Sequence, residues 1–123
     1  MAIQTSVTVR FRTAGFHQWE DAPHSVAFLK HEHRHIFHVG VTARVTHSNR
    51  QLEFFDLCDR AKEVFEHVMP RQLSRLGPHY GERSCETLAS ELLMQLRSYR
   101  IDVVAVTVSE DGENEGLAEY IND

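Results

Sequence analysis

A chain of 123 residues, 41% hydrophobic and 25% charged, is long enough for one real hydrophobic core, and a single domain over residues 1–123 is expected. Its formal net charge of −5 argues against a general nucleic-acid binder. No apolar run reaches membrane-spanning length, Met1–Ser6 lacks the basic start and apolar stretch of a signal peptide, and two cysteines, Cys58 and Cys85, match no paired-cysteine metal motif. The expected setting is therefore reducing and cytoplasmic, with neither membrane nor nucleic acid as a partner.

Taken in chain order, Val7, Val9 and Phe11 alternate with Thr8, Arg10 and Arg12, which predicts a half-buried antiparallel strand over Ser6–Thr13. Ala14–Lys30 contains Gly15 and Pro23 and holds no period. It reads as a long connection carrying His17 and His24, and connections of that length in small domains are often functional.

Lys30–Val39 then packs in four of the chain's nine histidines and opens a second strand, His33 to about Thr46. With a period of two, His33, His35, Phe37, Val39, Val41, Ala43 and Val45 share one face. Side chains at i and i+2 of a strand project in parallel, so His33 and His35 form a two-pronged metal grip at the mouth of the strand, alongside the plainer reading of surface histidines at a polar strand end. Thr46–Gln51 supplies a polar turn.

From Leu52 the period changes to three and four. Phe54, Leu57, Cys58, Ala61, Val64, Phe65 and Val68 predict an amphipathic helix that Pro70 ends. Arg71–Arg83 is irregular, broken by Gly77-Pro78 and Gly81. Ser84 is an N-cap for a second helix with an apolar stripe of Cys85, Leu88, Ala89, Leu92, Leu93 and Leu96. Each cysteine sits in such an apolar pattern and is expected to be a structural thiol rather than a nucleophile. Ile101–Ser109 is a third strand with Val104, Val106, Val108 and Glu110 on one face, Asp111–Glu115 a solvated acidic turn, and Leu117–Ile121 a short fourth strand. The order ββααββ predicts an α+β fold: a four-stranded antiparallel sheet with both helices on one face. The open face and edges favour oligomerisation.

With that order, the chain resembles the 6-pyruvoyl-tetrahydropterin synthase and 6-carboxy-tetrahydropterin synthase family, of the tunnelling fold, from about Val7 to Tyr120. His33-Arg34-His35 stands where the family has His-Gly-His, and Phe11–His17 is similar to the family's run closing the first strand on its third zinc ligand. The resemblance implies zinc on His17, His33 and His35, with His31 a rival for the third place, and an open fourth position for substrate or water. Leu52–Leu57, with Glu53 in an aspartate place, is similar to the start of the family's first helix. Ser84–Ala89 resembles the start of its second helix, where the dipole alone explains Glu86. Glu66-His67 resembles an Asp-His acid–base pair. Val106–Glu110 resembles the strand whose glutamate holds the pterin ring through paired hydrogen bonds. One departure stands out: Leu29 occupies the place of the family's catalytic cysteine, and Glu32, though near, is out of register with branches that use a glutamate.

The resemblance implies a zinc-dependent lyase acting on 7,8-dihydroneopterin triphosphate or a related pterin, in tetrahydropterin or queuosine biosynthesis. Its sites would lie between subunits of a homo-oligomer, a trimer or hexamer. A second expectation is an inactive member that binds a pterin, deazapurine or guanine-like ligand, and a third is an assembly module reusing the fold.

Overall fold

The computed structural model describes residues 2–47 and 49–121, apart from the side chain of Ser74. Met1, and Ser48 of the expected polar turn, lie outside the described residues. Two long strands, β1 (Thr5–His17) and β2 (His33–Val45), pair antiparallel along their whole length, Thr5 opposite Val45 and His17 opposite His33. β1 thus continues four residues past the Thr13 at which alternation ends. Ala14 and Gly15 interrupt the hydrophobic pattern without interrupting the backbone ladder. Gly15 is needed there for packing, since a Cβ would lie 2.8 Å from the Tyr80 ring and 3.2 Å from that of Phe37.

A 3₁₀ segment, His24–Lys30, bridges part of the way from β1 to β2. Helix α1 (Phe54–Glu63) starts at Glu53, whose side chain accepts the Asp56 N–H at 2.9 Å, and continues as a π turn over Val64–Val68. The hydrophobic period correctly carries the helical segment towards Pro70 but does not register the change of pitch.

The irregular stretch after Pro70 holds two further strands, β3 (Gln72–Ser74) and β4 (Gly77–His79), which form an antiparallel hairpin. β4 meets β1 in parallel at Phe16 and His79. The sheet is therefore six-stranded and mixed, in the order β3-β4-β1-β2-β5-β6, rather than four-stranded and antiparallel. Strands of three residues are too short to show alternation, and Gly77-Pro78 reads locally as a breaker. Pro78 is tolerated because β4 joins β1 through this single pairing.

Helix α2 (Cys85–Ser98) is capped as expected, with Ser84 Oγ accepting the Thr87 N–H at 3.2 Å. β5 (Val103–Glu110) and β6 (Asn114–Glu119) complete the sheet. α1 and α2 cover one face, where Phe37, Val39 and Val41 of β2, Val106 and Val108 of β5, Leu57 of α1 and Leu88, Leu92 and Leu96 of α2 are buried together. Arg10 and Arg12 are exposed on the opposite face. No described helix is long and apolar enough to cross a membrane.

Candidate metal centre

The β1–β2 register sets the site. Because His17 pairs with His33, and Gly15 with His35, the ends of two strands deliver three imidazoles to one point. Ring centroids are 4.6 Å apart for His17 and His33, 5.2 Å for His17 and His35, and 4.9 Å for His33 and His35. One nitrogen from each ring lies within 4.8 Å of the others.

The outer partners decide which nitrogens those are. His17 Nδ1 lies 3.2 Å from the Arg83 carbonyl oxygen, His33 Nδ1 2.8 Å from that of His31, and His35 Nδ1 2.7 Å from Asp111 Oδ2. Carbonyl and carboxylate oxygens only accept, so each ring donates from Nδ1 and keeps a lone pair on Nε2. All three Nε2 atoms are buried and lack a hydrogen-bond partner. Three buried lone pairs aimed at one another without donors suit a cation, and an imidazole triad with its outer nitrogens held is a zinc-type donor set.

His17 is buried, and burial lowers its pKa from 6.5, so it stays neutral and available to a cation. His31 does not compete with it: its side chain is exposed, and its carbonyl orients His33. Asp111 was expected in a solvated turn. Instead it adopts a left-handed backbone (φ 57°), takes the Ile36 N–H on Oδ1 at 2.8 Å and holds His35 on Oδ2. The Ile36 N–H, then His35, lower its pKa from 3.8. The register carried a hint of this, since pairing Glu110 with Phe37 brings residue 111 to the level of Ile36.

Glu110 joins the triad. Its Oε1 lies 3.0 Å from His17 Nε2 and its Oε2 3.6 Å from His35 Nε2. Neither contact is a hydrogen bond, consistent with a lone pair on each Nε2. Cys85, at the first turn of α2, points its Sγ to Glu110 Oε1 at 3.7 Å. Burial and then the Glu110 carboxylate push this thiol up to about 12, so it remains protonated. A cleft of about 510 Å³ opens over these groups, walled by His17, Trp19, Leu29, His33, Cys85 and Glu110. Leu29 lines the cleft but brings no acid–base group to it.

Glu66 and His67 are not among the residues lining this cleft, and they do not form the pair expected of them. Glu66 Oε2 accepts the Thr13 hydroxyl at 2.9 Å, whereas His67 is exposed and lies 3.9 Å from Glu63. Both residues lie within the π turn itself, where the change of pitch redirects side chains. Glu32 points away from the triad, 3.0 Å from His79 Nε2.

Fold and triad together define a protein of the tunnelling-fold type with a candidate metal centre at the β1 and β2 ends. Among solved structures the chain is similar to 6-pyruvoyl tetrahydropterin synthase of Caenorhabditis elegans, with a TM-score of 0.65 and 11% identity over 97% of each chain. It is also similar to an uncharacterized protein of Wolinella succinogenes, with a TM-score of 0.73 and 13% identity over 96% of this chain and 99% of that one. No protein-family model and no curated protein matches the sequence.

Proposed function

We propose that the chain is a zinc-dependent lyase of the 6-pyruvoyl or 6-carboxy-tetrahydropterin synthase type, acting on the side chain of 7,8-dihydroneopterin triphosphate or a related pterin. The observation that carries this reading is the convergence of three buried, unpartnered Nε2 atoms beside a cleft lined by His17 and His33, in a fold shared with a pterin enzyme. His17, His33 and His35 would hold the zinc, which when bound supplies Lewis acidity to side-chain oxygens. Glu110 supplies a carboxylate able to accept two parallel N–H bonds from a 2-amino-4-oxo pyrimidine edge. In a homo-oligomer, a trimer or hexamer, the exposed His67 would move the proton in the cleft of an adjoining copy, while Glu66, held by the Thr13 hydroxyl of its own chain, would fix the segment that carries it.

A second reading, a catalytically silent protein that binds a pterin, deazapurine or guanine-like ligand, is favoured by Leu29 and by the protonated Cys85 thiol. Neither gives the cleft a thiolate base. Incubation of zinc-loaded protein with 7,8-dihydroneopterin triphosphate, followed by mass spectrometry, separates the two. The lyase yields a new pterin product that disappears in His35→Ala. Unchanged substrate with a ligand-induced rise in melting temperature supports the binding protein, and neither response overturns both readings.

A further inference from the structure

We infer that Glu110 is a fourth protein ligand that caps the metal in the ligand-free protein and leaves it when the cleft is filled. This rests on the three-histidine metal reading above and departs from a role for Glu110 as ring anchor alone.

Two atoms bearing lone pairs repel at close range unless positive charge lies between them, yet Glu110 Oε1 stands 3.0 Å from His17 Nε2 and Oε2 stands 3.6 Å from His35 Nε2. Donors bound tetrahedrally to one zinc at about 2.0–2.2 Å stand about 3.4 Å from each other. The two observed separations bracket that value. With every Nδ1 proton committed to an oxygen acceptor, the Nε2 atoms are the donors left for a cation, and the carboxylate completes the set on the cleft side.

The carboxylate is also able to leave. Its side chain is about one-third exposed (33%) and borders the cleft. Cys85 Sγ–H offers Oε1 a weak hydrogen bond at 3.7 Å, a hold that keeps the carboxylate near the cleft without a competing cation. A centre with four protein ligands is closed, whereas one that processes substrate keeps a position open. The ligand class that opens this one carries an oxygen donor for the metal and an N–H pair for the released carboxylate, so it gains at both ends of the exchange.

The test uses Co²⁺ in place of zinc, read by its visible absorption, with azide as a probe for an open position. The capped centre predicts that excess azide leaves the wild-type spectrum unchanged. In Glu110→Gln, Co²⁺ should bind about tenfold or more weakly and azide should shift the spectrum. An azide response in wild type overturns the cap and leaves the three-histidine site standing. So does a silent Glu110→Gln variant with unchanged affinity. Failure of wild type to bind Co²⁺ or Zn²⁺ overturns the metal reading itself. If circular dichroism shows Glu110→Gln to be unfolded, the wild-type azide titration decides alone.

Discussion

Asp111 Oδ2 accepts the Nδ1 proton of His35 at 2.7 Å, fixing both the tautomer and the direction of the ring that faces His17 and His33. The same carboxylate holds the Ile36 N–H on its other oxygen, so it clamps strand and ring together. Outer partners of this kind typically contribute a factor of about 10 to 100 in metal affinity. Asp111→Asn keeps a residue that tolerates the left-handed backbone and removes the charge. Its zinc dissociation constant is expected to rise by roughly that factor, with an unchanged circular dichroism spectrum, in a competitive titration with a chromophoric chelator.

The metal-free protein should lose stability as the medium becomes acidic, in two stages. Burial lowers the pKa of His17 from 6.5, and hydrogen bonds lower that of Asp111 from 3.8. In both cases the unfolded chain binds its proton first as pH falls. The His17 contribution is complete above 6.5 and declines from there towards its lower folded value; that of Asp111 is present above 3.8 and disappears below it. Urea midpoints measured in chelator should therefore rise as the pH is raised towards 6.5 and level off above it, and the rise should shrink in His17→Gln. A flat wild-type profile would count against neutral, buried His17.

Cys85 offers a chemical probe of the same cleft. With its pKa pushed up to about 12, its thiolate population at pH 8 is of the order of one in ten thousand, and alkylation by iodoacetamide should be correspondingly slow. Glu110→Gln removes the carboxylate charge while leaving the burial, so Cys85 labelling, followed by peptide mass spectrometry, should accelerate by about tenfold. Equal rates in the two proteins would mean that the thiol does not sense Glu110.

Gly116 of β6 lies against the start of α2, where an added Cβ would sit 2.4 Å from the Glu86 backbone nitrogen and 2.7 Å from its Cα. Backbone cannot yield as a side-chain tip does. Gly116→Ala should cost about 1–3 kcal/mol in denaturant unfolding through overpacking. It should also displace the Cys85 turn and speed its alkylation, a second readout independent of global stability.

Much of this architecture was legible because it rests on periodicity. Val7, Val9 and Phe11 marked β1, the His33-to-Val45 alternation marked the inward face of β2, and Ser84 marked the start of α2. The three histidines were legible as a set only through resemblance, because spacing ties His33 to His35 but says nothing of His17. That residue arrives through thirteen positions of cross-strand register. The β3–β4 hairpin was hidden by strands too short to alternate. Asp111 was hidden because a carboxylate in a Gly-containing turn looks like solvated surface until the opposite strand is placed beside it. The separation of Glu66 from His67 was hidden by the π turn, a change of pitch that leaves the hydrophobic pattern intact.

Whether His17, His33 and His35 form a metal site is decided by metal stoichiometry. Protein purified without chelator and measured by inductively coupled plasma mass spectrometry should carry about one zinc per chain. His33→Ala and His35→Ala, shown to be folded by circular dichroism, should carry nearly none. Wild-type protein that neither retains zinc nor takes it up on addition, or folded variants that bind it as well as wild type, would contradict the account.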